Sequence, residues 1–137
     1  MTNKATVNNG KAIFRDTITV PMLVQLVPLG SENPFAEAII EPGDIQVTVE
    51  EGATIGLATG TPLNAILAEW IDARKQRNAR VEAIDRNSDN AQQTMQEVFN
   101  EYKIWTDSLM QANIDNTIGA SLFISRVYDL SIEALED

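Results

Sequence analysis

All five prolines of this 137-residue chain, and six of its seven glycines, fall within the first 62 residues. Proline fixes φ and lacks an amide hydrogen, and glycine tolerates the backbone angles of tight turns. A segment rich in both reverses often and cannot hold a long helix. From residue 63 onward there is no proline, and Gly119 is the one glycine. This asymmetry predicts an α+β chain with its two kinds of structure segregated: a β-rich first half and a helical second half.

Within the first half, Asn8-Asn9-Gly10 is a turn signal, and residues 11–20 favour a strand through Ile13, Thr17, Ile18, Thr19 and Val20. Pro21 and Pro28 bracket an apolar run, so a strand there begins at one proline and stops at the other. Glu41-Pro42-Gly43-Asp44 has the type II turn signature, with proline at the first central position and glycine at the second. It joins Ala38-Ile39-Ile40 to the strictly alternating residues 45–49, which reads as an antiparallel hairpin. A last short strand is expected near residues 54–58. Residues 1–60 are thus expected to form a small antiparallel β-meander or sandwich serving attachment or display.

Thr61-Pro62 marks the change of structure, since threonine suits a helix cap and proline the first helical position. Steps of four and three residues from Leu63 then define one register: Leu63, Leu67, Trp70, Arg74, Arg77, Val81, Ile84, Ser88, Ala91, Met95, Val98, Tyr102, Trp105, Leu109, Ala112. Twelve of these fifteen are apolar or aromatic. A mean spacing of 3.5 residues keeps one stripe against a partner helix, as in a coiled coil. A continuous helix over residues 63–112 would be roughly 75 Å long, more than a small core needs, and would seek a second copy or another protein. Residues 61–137 are therefore expected to be a long coiled-coil-like oligomerisation region. Residues 120–136 fit a helix through Leu122, Phe123, Val127 and Leu130, preferred over a strand through Leu122, Ile124 and Val127.

Within this register, Arg80-Val81-Glu82-Ala83-Ile84-Asp85 resembles the short trimerisation motif of three-stranded coiled coils. The resemblance implies that Arg80 pairs with Asp85 of a neighbouring strand while covering Val81 and Ile84. Aspartate stands where that motif has glutamate. Other residues favour an intramolecular hairpin instead. Arg86-Asn87-Ser88-Asp89-Asn90 is turn-prone, Arg74 and Arg77 suit a seam poorly, and Tyr102 and Trp105 are bulky for one. Ile66 and Ile71 widen the apolar face, as where a helix packs on a β-layer.

The chemistry open to the chain is narrow. It has no cysteine and no histidine, which removes disulfides, thiolate nucleophiles, the usual zinc sites and imidazole catalysis. A net charge of −10 disfavours binding to nucleic acid or to an anionic membrane surface. Asp85-Arg86-Asn87-Ser88-Asp89-Asn90 starts like a calcium loop. However, Asn90 replaces the turn glycine, Gln92 the apolar residue and Gln96 the closing glutamate. The cationic cluster Arg74, Lys75, Arg77, Arg80 and Arg86 is answered by Glu69, Asp72, Glu82 and Asp85, and no aromatic interleaves with the arginines. The acids Glu50-Glu51, or Asp107 with Asp115, are surface carboxylates with nothing to place them in a cleft. The glycines at 52, 56 and 60 do not form a phosphate-binding loop. No catalytic, cofactor or metal residue is assigned, and no cofactor is expected.

No signal peptide is evident, and the longest apolar-rich run, residues 20–29, is too short and too interrupted to span a bilayer. The expectation is a soluble, non-enzymatic, homo-oligomeric structural protein, with a trimer favoured. A compact β module followed by a self-associating helix suits a phage-like virion component such as a fibre, spike, collar or cement protein. The expected interface comprises Leu63, Leu67, Trp70, Arg80, Val81, Ile84, Asp85, Met95, Val98, Tyr102, Trp105 and Leu109, and the β half is expected to bind another structural protein. The alternatives are a monomeric adaptor whose helices fold back on the sheet, and a hydrolase or lyase relying on carboxylates alone.

Overall fold

A computed structural model describes residues 4–53 and 55–136. Among the described residues four short strands precede three helices: β1 (Met22–Leu26), β2 (Ala36–Ile40), β3 (Gln46–Thr48), β4 (Leu57–Thr59), α1 (Pro62–Glu82), α2 (Ala91–Ala112) and α3 (Thr117–Glu136). The segregation imposed by proline and glycine holds. Pro21 and Pro28 flank β1 as expected, and Pro62 opens α1.

Strand pairing differs from the expectation in one respect. β2 does not turn back through Pro42-Gly43 to pair with β3. It pairs antiparallel with β1, Leu23 opposite Ile39, while β3 pairs with β4, Val47 opposite Ala58. The reason lies at the start of α1. The first amides of a helix have no partner within it, and Glu41 Oε1 accepts the Leu63 amide at 2.8 Å. Gly60, at φ +109°, lets the chain pass so close that a side chain there would overlap the Asp44 carbonyl. Residues 41–44 thus dock on the helix entrance rather than closing a hairpin. The two sheets touch where the Gly56 amide donates to the Phe35 carbonyl at 2.6 Å. Residues 11–20 also depart from the expectation. The Asn8–Lys11 turn forms, but no strand follows it.

The core draws on both halves of the chain. Ile39 of β2 packs with Leu67, Trp70 and Ile71 of α1 and Ile118 and Leu122 of α3. Leu23, Leu63, Ile66, Leu109 and Met110 surround this cluster. Leu67 and Ile71 are four apart and share a helix face, which is why α1 can lie on the β-layer. A buried polar side chain fixes the contact. Asn64, fully buried, accepts the Ile39 amide at 2.8 Å and donates to the Ile39 carbonyl at 2.7 Å and to Thr61 Oγ1 at 2.7 Å. Its amide group does for β2 what another strand would do, so Ile39 keeps both backbone partners in the interior.

The long rod over residues 63–112 is replaced by a helical hairpin. α1 ends at Glu82, and loop 83–90 reverses the chain. Asp85 Oδ1 accepts the Asn87 amide at 3.0 Å, and Ser88 Oγ donates to the Asp85 carbonyl at 2.8 Å. These short polar side chains offer the backbone partners that a helix would otherwise supply. A second break separates α2 from α3, where Asn116 Oδ1 accepts the Ile118 amide at 2.9 Å. Thr117 Oγ1 donates to the Pro21 carbonyl at 3.1 Å, tying α3 to the entrance of β1. The helical reading of residues 120–136 is the one the chain adopts. Among the described residues no helix is long and apolar enough to cross a membrane.

Candidate functional site

Much of the expected interface is used within the chain. Leu67 and Trp70 are buried in the core, and Leu63 and Leu109 pack against it. Trp70 Nε1 donates to Tyr102 Oη at 3.1 Å, joining α1 to α2. The two seam arginines are accommodated by aromatic rings. The Arg77 guanidinium lies 4.4 Å from the Tyr102 ring centre and 5.6 Å from that of Phe99, and Arg74 lies 5.8 Å from that of Trp70. A guanidinium over a ring face is attracted by the ring quadrupole while its edge stays hydrated, so arginine suits a half-exposed seam. Arg74 also reaches Glu37 of β2 at 3.2 Å, linking α1 to the sheet.

Arg80 has a different partner from the one that the trimerisation motif implies. Its guanidinium pairs with Glu101 of α2 in the same chain, at 2.5 Å. The hydrogen bond and the opposite charge raise the Arg80 pKa and hold the Glu101 carboxyl below its usual range. Asp85 serves loop 83–90. Farther along α2, Asp107 is held below the usual carboxylate range chiefly by its hydrogen bond to Lys103, and also by the charge of Arg126 on α3. Arg126 approaches Asp107 at 2.6 Å and Thr106 Oγ1 at 3.1 Å, so this pair of contacts fixes α3 against α2.

The remaining interface residues are less enclosed. Val98 is buried, and Val81, Ile84 and Met95 are half-buried. Ile84 and Val98 line a shallow opening of about 410 Å³ at the hairpin end, together with Arg80, Asp85 and Thr94. Trp105 is exposed. The seam therefore brings most of its members together, but across one chain's own hairpin.

Two surfaces lie outside that register. On α3, Phe123, Ile124 and Tyr128 are exposed while Ile118 and Leu122 are buried. The signal was present in the apolar residues of that segment, but periodicity cannot say which of its apolar sides the fold covers. The second is a groove of about 470 Å³ between α1 and the β3–β4 hairpin, lined by Ile55, Leu57 and Ile71 with Glu50, Glu69 and Asp72. No sequence signal marks it, because its two sides are joined only by the fold. Among the described residues there is no group of three acidic, histidine or cysteine side chains arranged to hold a metal ion. Compared with known protein families, with curated proteins and with solved structures, the chain matches none of them.

Proposed function

We propose that this chain is a non-enzymatic assembly protein that associates with further copies of itself through the outward side of α3. One observation carries the reading: α3 is apolar on two sides, and the fold covers one. Ile118 and Leu122 enter the core, whereas Phe123, Ile124 and Tyr128 are 60%, 56% and 69% exposed. Apolar side chains gain from leaving water, so an apolar outer side on a packed helix is ordinarily covered by another surface. Ile104 on α2 adds a further exposed apolar side chain.

A subunit of this kind suits a structural component of a larger particle. With helices of about twenty residues folded into a hairpin, the collar or cement role is a better fit than the fibre or spike. Arg80 is engaged by Glu101, so the trimerisation motif lends little weight to three copies. Another structural protein would be held by the β half, where β1 and β3 each pair on one side only among the described residues.

The test is the mass in solution by light scattering, for the wild type and for Ile124→Glu. The expected result is an oligomeric wild type and a variant of lower mass with unchanged helicity, since a buried interface would strand the new charge. A monomeric wild type would overturn the proposal in favour of the second reading, a monomeric adaptor. That reading has its own support in the way α1 and α3 fold back on the β-layer around Ile39.

A further inference from the structure

The charge of the first half is distributed unevenly. Residues 1–20 hold Lys4, Lys11 and Arg15 against Asp16, whereas residues 21–60 hold six carboxylates and no cation. The basic part is also exposed along most of its length. Residues 11–20 form no regular strand, and all their side chains except Ile18 are exposed, Ile13 at 73%. Yet their composition is that of a strand, with β-branched residues at half the positions. In an extended chain Lys11, Ile13 and Arg15 point to one side, with the two cations about 13 Å apart and the isoleucine between them.

The groove between α1 and the β3–β4 hairpin has the complementary pattern. Its apolar lining comes from Ile55, Leu57 and Ile71, with Glu50 on the β side, Glu69 and Asp72 on α1, and the cation Lys75. Leu57 is 44% exposed, so apolar surface is left for an incoming side chain to cover. We propose that this groove receives the N-terminal arm of a second copy, with Ile13 on its apolar lining and Lys11 and Arg15 against its carboxylates. Within the same chain the groove is lined by residues 48–75 and by none of the arm. That arm leads through Pro21 into β1, which β2 separates from β4, so the groove lies across the β-layer from the arm's root. This inference deepens the assembly reading and rests on self-association, but it uses a different surface from α3.

The experiment is carbodiimide coupling of the 137-residue chain, which joins an amine to a carboxylate only where the two touch. Unlabelled and nitrogen-15-labelled chains are mixed first, so that mass spectrometry separates links between copies from links within one. Lys103 and Asp107, 3.0 Å apart, serve as the internal control. The expected result is a link from Lys11 to Glu50, Glu69 or Asp72 that joins one light and one heavy peptide. Its yield should fall about fivefold in Arg15→Glu and decline with added salt. Its persistence in Ile124→Glu would separate the arm contact from the α3 contact, so that either can fail alone. Lys11 links confined to one copy, or none to the groove while the control couples, would overturn the inference.

Discussion

At the scale of single residues, the fold leans most on Asn64. Its carboxamide satisfies both backbone groups of Ile39 and the Thr61 hydroxyl in a site closed to water. Asn64→Leu keeps the approximate volume but strands the Ile39 amide and carbonyl. The expected loss is about 2–4 kcal/mol, read as a lower midpoint in urea with an unchanged slope. A loss near zero would mean that water replaces the side chain at no cost. The charged residues make a gentler prediction. Glu101 and Asp107 are held below their ordinary carboxylate values by Arg80 and by Lys103 with Arg126. Groups lowered on folding bind fewer protons in the native state, so their contribution is present above the unfolded value and is lost as pH falls through the folded one. The urea midpoint should therefore drop on acidification below the ordinary carboxylate range, and Glu101→Gln with Asp107→Asn should flatten that drop. Both carboxylates lie at the surface, so the effect should shrink in high salt.

At the scale of elements, helix boundaries are decided by short polar side chains and by close approach. The turn between α2 and α3 brings the Asn113 carbonyl against Gly119, where a methyl group would overlap it. Propensity alone favours Gly119→Ala by about 1 kcal/mol, since alanine restricts the unfolded chain and suits a helix. The overlap opposes this with a cost of about 1–3 kcal/mol, as for other overpacked sites. The variant is expected to be less stable than the wild type by urea unfolding, and a higher midpoint would show that the turn gives way freely. The seam illustrates the same conflict between local pattern and fold. Its heptad spacing is continuous from Leu63 to Ala112, yet loop 83–90 breaks it, and the stripe closes on itself through Trp70 and Tyr102.

At the scale of the molecule, the β half and the helical half share one core. Ile39 lies among Leu67, Ile71, Ile118 and Leu122, so neither half retains its packing without the other. Unfolding should therefore be cooperative across the boundary at residue 60. Hydrogen exchange at the amides of Ile39 and Leu67 is expected to report the same opening free energy and the same denaturant dependence. A β half that opens well before α1 would restore two independent units over residues 1–60 and 61–137.

What the sequence determined by itself was the segregation of strands and helices along the chain. Proline and glycine confined the strands to the first half, Pro62 opened the first helix, and the turn-prone residues 86–90 held the possibility of a hairpin. The lack of histidine and cysteine limited the chemistry in the same direct way. These are local effects, set by backbone geometry and by which functional groups are present. Pairing was decided by the tertiary structure. The carboxylate of Glu41 found the α1 entrance, which sent β2 to β1 rather than to β3. Arg80 found Glu101, which turned an expected contact between copies into one within the chain. A periodic stripe states only that one side of a helix avoids water. Whether a sheet, a neighbouring helix or a second copy covers it depends on which surface arrives first and fits, and that information is spread over residues far apart in the chain.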